Sequence, residues 1–69
     1  MLREEIVKVL REKGPMTSTE LMEYLMAQGL EVKPLEFREV LAEMVRKGEV
    51  EKFPVYEEKK FKFRLPQRA

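Results

Sequence analysis

The chain has 69 residues, 39% of them charged, with 14 Lys and Arg against 13 acidic residues for a net charge of +1. That length allows one domain, near the lower size limit for folding alone, and the absence of Cys and His removes disulfides, thiolate or imidazole metal ligands, and any Ser-His or Cys-His nucleophile pair. Acid–base chemistry would rest on Glu, Lys and Tyr, and Gly14, Gly29 and Gly48 fall at helix ends rather than in a phosphate loop, so neither an enzyme nor a small-molecule cofactor is expected.

A first helix is predicted over about 2–13, where Leu2, Ile6, Val9 and Leu10 recur at spacings of three and four. Gly14 and Pro15 stop it, and Met16 stands alone in a short extended link. Thr17-Ser18-Thr19-Glu20 is a capping box opening a second helix over about 18–28, with Leu21 and Leu25 as its core stripe. Gly29 closes it, and Leu30 is placed to pack back on Leu25. Pro34 suits the first position of a third helix over about 34–47, whose Phe37, Val40, Leu41, Met44 and Val45 face inward.

Beyond Gly48 the period becomes two. Strands are predicted at about 49–56, interrupted by Pro54 and so suited to an edge, and at about 60–65, with Glu57-Glu58-Lys59 between them. In the second strand Phe61, Phe63 and Leu65 alternate with Lys60, Lys62 and Arg64, one set buried and the other wet. Residues 66–69 read as a frayed tail. The expected fold is α+β: a single domain, residues 1–69, of three bundled helices with a C-terminal antiparallel hairpin.

The stretch Pro15-Met16-Thr17-Ser18-Thr19-Glu20-Leu21, the pattern Leu41-x-x-Met44-x-x-x-Gly48-x-Val50 and the closing Phe61-Lys62-Phe63-Arg64-Leu65 together resemble the winged-helix (winged helix-turn-helix) superfamily of DNA-binding domains. The likeness is greatest to the small archaeal transcription regulators built on that fold. It spans about residues 2–66. It implies a third helix entering the major groove and a hairpin wing touching phosphates or the minor groove. Carried over by position, the groove-facing residues are Leu35, Glu36, Arg38, Glu39 and Ala42. Two carboxylates and a leucine thus stand beside one arginine. Glutamate can accept from cytosine N4, but phosphates on both sides repel it.

Charge is unevenly distributed. Glu20, Glu23, Glu31, Glu36, Glu39 and Glu43 meet only Lys33 and Arg38, whereas Lys59, Lys60, Lys62, Arg64 and Arg68 close the chain with no acid among them. One expectation is a DNA-binding transcription regulator or chromatin-associated factor, with Lys59, Lys60, Lys62 and Arg64 on phosphates and Arg38, Arg46 and Lys33 assisting. A competing account makes Lys60, Lys62 and Arg64 the wet face of an edge strand, guarding it against aggregation. The aromatics Phe37, Phe53, Phe61 and Phe63 fit core faces better than a base-stacking platform. The alternative function is a protein-interaction module docking through Leu35, Glu36, Glu39, Ala42 and Glu43, onto a protein partner or a second copy. The Glu/Lys/Arg-rich composition is common in proteins of hot-living organisms. No signal peptide or membrane span is legible, so a cytoplasmic location and no membrane partner are expected.

Overall fold

The computed structural model of the protein describes residues 1–67; Arg68 and Ala69, part of the predicted tail, lie outside the described residues. Three helices, α1 (Leu2–Lys13), α2 (Ser18–Ala27) and α3 (Pro34–Arg46), precede strands β1 (Glu51–Val55) and β2 (Lys60–Arg64). A single 3₁₀ turn, Tyr56–Glu58, joins the strands. The architecture is the expected one, a three-helix bundle with a C-terminal two-stranded antiparallel hairpin.

The start of α2 follows from its sequence. The Glu20 N–H donates to the Thr17 hydroxyl at 3.0 Å, and the Thr17 N–H donates to the Glu20 carboxylate at 2.9 Å, so the capping box is complete. That Thr17 amide holds the Glu20 carboxyl below its ordinary value, with smaller help from Lys62 and Lys60. The stabilisation it contributes is present above the ordinary carboxylate pKa and is lost as pH falls through the lowered one. Thr17→Ala is expected to cost about 0.5–2 kcal/mol and Thr19→Ala far less. Thermal melts of the two variants check this, and equal shifts would refute the cap.

Both Gly29 and Gly48 sit at positive φ, 91° and 79°. There the chain reverses out of a helix and a side chain would be strained. The Leu30 N–H donates to the Leu25 carbonyl at 3.2 Å, and the Glu49 N–H to the Met44 carbonyl at 2.8 Å. These are Schellman closures. The second explains why β1 is shorter than the predicted 49–56. The amides of Glu49 and Val50 both bond back to Met44 and are not free for a ladder, while Tyr56 is taken by the 3₁₀ turn.

The core gathers Ile6, Val9 and Leu10 of α1, Leu21 and Leu25 of α2, Phe37, Leu41 and Met44 of α3, and Val50 and Phe63 of the hairpin. Val32, expected only as connector, is buried with them. It and Phe37 occupy the N′ and N4 positions of a hydrophobic staple that fixes how the chain enters α3. Met16 is more than a link. Its N–H donates to the Phe63 carbonyl at 3.1 Å and its carbonyl accepts from the Phe63 N–H at 2.7 Å. Strand β2 is therefore held on both sides and β1 is left as the outer edge, where Pro54 lacks an N–H to donate.

The strand register pairs Lys52 with Phe63 and Pro54 with Phe61 on one face, and Glu51 with Arg64, Phe53 with Lys62 and Val55 with Lys60 on the other. The expectation that Phe61 is buried beside Phe63 fails: Phe63 is 9% exposed, Phe61 54%. Two residues along a strand is about 6.6 Å. The helices reach beneath Phe63, where Met16 pairs, and not beneath Phe61. Phe53 is likewise no core residue. It lies half-buried on the opposite face, with the Arg64 guanidinium 4.2 Å from its ring centre.

Candidate nucleic-acid interface

Two groups of cations differ in their neighbours. On the outer face of the hairpin, Arg64 donates to Glu51 at 3.0 Å and stacks on Phe53, and the Lys62 ammonium lies 3.9 Å from Glu58. Arg46 is bonded to Glu43, which also draws Lys47 to 3.5 Å. Such exposed pairs contribute little to stability, but they lower the net positive charge that these side chains present to an anion.

The second group faces a groove. Between α3 and the hairpin run Ser18, Arg38, Ala42, Val45, Lys52 and Phe63. Ser18, Lys52 and Phe63 continue into an adjoining concavity with Thr17, Thr19, Lys60 and Phe61. The two share Ser18, Lys52 and Phe63 and form one channel along the inner face of the hairpin, which Lys60 borders from an outward-facing register position. Arg38, Lys52 and Lys60 are its cations, and none of the three has a carboxylate partner within ion-pair distance among the described residues. No acidic side chain lines it. Glu20 does not line it but stands near enough to act on Lys60 and Lys62, and its hydrogen bond from the Thr17 amide keeps the carboxylate ionised.

The start of α2 adds donors. The amides of Ser18 and Thr19 occupy the first helical positions, where no intrahelical acceptor exists, and their hydroxyls border the channel. Backbone N–H groups at a helix start, hydroxyls and three cations suit phosphate oxygens.

Helix α3 has two different flanks. Arg38 and Ala42 turn toward the hairpin. Glu36, Glu39 and Glu43 turn the other way, into a groove against α1 with Leu2 and Val40. The acids expected beside Arg38 on one reading face are thus carried away from it. The docking face proposed from sequence is divided in the same way, with Ala42 on one flank, the glutamates on the other and Leu35 75% exposed. Of the cations singled out from sequence, the channel brings together Arg38 and Lys60. Lys59 lies at the hairpin tip, Lys33 is the exposed N-cap of α3, and Arg46, Lys62 and Arg64 lie near carboxylates elsewhere.

Sequence reasoning missed Lys52. Its signal was parity: Val50, Lys52 and Pro54 share a strand face, so a lysine two residues after a buried valine points toward α3 rather than away. Among the described residues no cluster of three or more acidic side chains is placed to hold a metal ion, and no helix is long and apolar enough to cross a membrane. Compared with family models, curated proteins and solved structures, the chain matches none.

Proposed function

We propose that this chain is a winged-helix protein that binds double-stranded DNA through the phosphate backbone, in the manner of a transcription regulator or chromatin-associated factor. The observation that carries this reading is the channel between α3 and the hairpin, with Arg38, Lys52 and Lys60 along it and no acid in its wall. In a chain of net charge +1, such segregation is not a by-product of a basic composition. The recognition side of α3 offers one arginine and an alanine. Binding is therefore largely independent of sequence, with Arg38 alone able to donate bidentately to guanine.

A salt series with a labelled duplex tests this. Three phosphate contacts give a slope of about −2.7 in log K against log salt, from roughly −0.9 per contact, so affinity falls about forty-fold between 50 and 200 mM. A chain that binds no duplex at low salt, or binds with a flat slope, sinks the reading.

One observation favours a second reading. Glu36 and Glu39 border a groove floored by Leu2, Val40 and Met44, a surface suited to a basic amphipathic segment of a partner protein. Salt-reversible capture of such a peptide, lost in Glu36→Gln/Glu39→Gln, together with no affinity for DNA, would replace the first reading with this one.

A further inference from the structure

Two aromatic rings stand in solvent at the far end of the hairpin. Tyr56 is 83% exposed and Phe61 54%. The backbone holds both. Tyr56 opens the 3₁₀ turn, whose carbonyl at Tyr56 accepts from the Lys59 N–H at 3.2 Å, and Lys59 itself adopts the left-handed conformation at φ 54°. Phe61 is fixed in the ladder opposite Pro54. The Lys52 ammonium lies 4.6 Å from the centre of the Phe61 ring. Pro54, Val55, Tyr56, Lys59, Lys60 and Phe61 line one shallow hollow with no acid in it. Lys60 and Phe61 also border the phosphate channel.

Exposed apolar surface beside unpartnered cations asks for a ligand that is flat and apolar on one side and anionic on the other. A nucleotide with an unpaired base is such a ligand. Its base stacks on an aromatic ring while its phosphate meets an ammonium. A blunt duplex supplies no unpaired base, and only its terminal pairs leave a face open. We propose that the hairpin tip, through Phe61 and Tyr56 flanked by Lys52 and Lys60, stacks unpaired bases of a single strand continuing from a bound duplex. This rests on the phosphate-channel reading above and adds its substrate class: a duplex with a single-stranded extension. Glu57 and Glu58 lie on the 3₁₀ turn, with Glu58 toward Lys62. They direct the strand along the Lys52–Lys60 side rather than over the turn.

The test compares a labelled blunt duplex with the same duplex carrying an overhang of about eight thymidines. At low salt the overhang is expected to tighten binding at least about fivefold, the low end for one base stacked on an aromatic ring. Tyr56→Ser, outside the channel, should erase that preference and leave blunt-duplex affinity unchanged, and Phe61→Leu should erase it too. In a Tyr24→Phe background Tyr56 is the sole tyrosine, and its emission should be quenched by the overhang substrate and not by the blunt one. Equal affinities for the two substrates, a preference that survives both variants, or unquenched emission would each overturn the stacking site while leaving duplex binding intact. Absence of binding to either substrate overturns the channel reading as well. Vesicles of mixed phosphatidylserine and phosphatidylcholine form the last arm. If they capture the chain more tightly than the overhang substrate and Phe61→Leu abolishes that capture, the tip is a membrane anchor and the proposal is wrong.

Discussion

Phe37→Ala is expected to lower the melting temperature by about 12–40 °C, the largest effect of any single truncation in the chain. Phe37 is 1% exposed and the largest of the fully buried side chains. Removing a buried phenyl ring costs about 3–5 kcal/mol, through lost transfer energy and the cavity left behind. A domain of this size has a total stability of only about 3.5–10 kcal/mol at 0.05–0.15 kcal/mol per residue, and each kcal/mol moves the midpoint by about 4–8 °C. The ring cannot be replaced by collapse of its surroundings, because α1, α2, α3 and the hairpin all contribute to the cluster that encloses it. Leu35→Ala is the control. It lies on the same helix two residues earlier but is 75% exposed, so its change should stay within about 0.5 kcal/mol. Melting curves followed by circular dichroism check both. A Phe37→Ala protein that melts with the parent would mean that α3 is not seated as described.

The three helices were legible because each carries its signals locally. A period near 3.6 marks the buried stripe, Thr17 and Glu20 mark one start, and Gly29 and Gly48 mark two ends. What escaped reading depends on contacts distant in sequence. Met16 has no periodic neighbours, so nothing local reveals that it will bond across to Phe63. Alternation assigned Phe61 to the correct strand face, but burial depends on how far the helices extend beneath that face, and they stop at Phe63.

The candidate site shows the same division. Rotation of about 100° per residue already separates Arg38 and Ala42 from Glu36 and Glu43 around α3. Which flank meets the hairpin is decided by packing. The inner face of β1 became known only once the turn fixed its register, and Lys52 with it. Counting cations along β2 favoured Lys60, Lys62 and Arg64 alike. The fold sets the last two near carboxylates, Arg64 bonded to Glu51 and Lys62 facing Glu58, and leaves the channel to residues from four separate elements and the link before α2.

Lys52→Glu is the substitution expected to damage binding most while sparing the fold. Lys52 is exposed on the edge strand and borders both halves of the channel. Its loss removes the contact with the Phe61 ring, worth about 0.5–1 kcal/mol at an exposed site, so the melting curve should shift by only a few degrees. A lost hydrogen bond to a charged group costs about 1.5–3 kcal/mol, and the new carboxylate adds repulsion from phosphate. Duplex affinity at low salt should therefore fall at least about tenfold. Lys52→Ala, which removes the cation without the repulsion, should flatten the salt slope by about one unit and weaken all sequences alike. Arg38→Ala should alone change the ranking of sequences, through guanine. Arg46→Glu and Lys33→Glu alter net charge by the same amount as Lys52→Glu but lie outside the channel, so they separate a local contact from a general electrostatic effect. If those two weaken binding as much as Lys52→Glu does, the attraction is diffuse. If Lys52→Glu has no effect while neutralising Lys62 and Arg64 abolishes binding, the outer face of the hairpin holds the DNA and the channel does not.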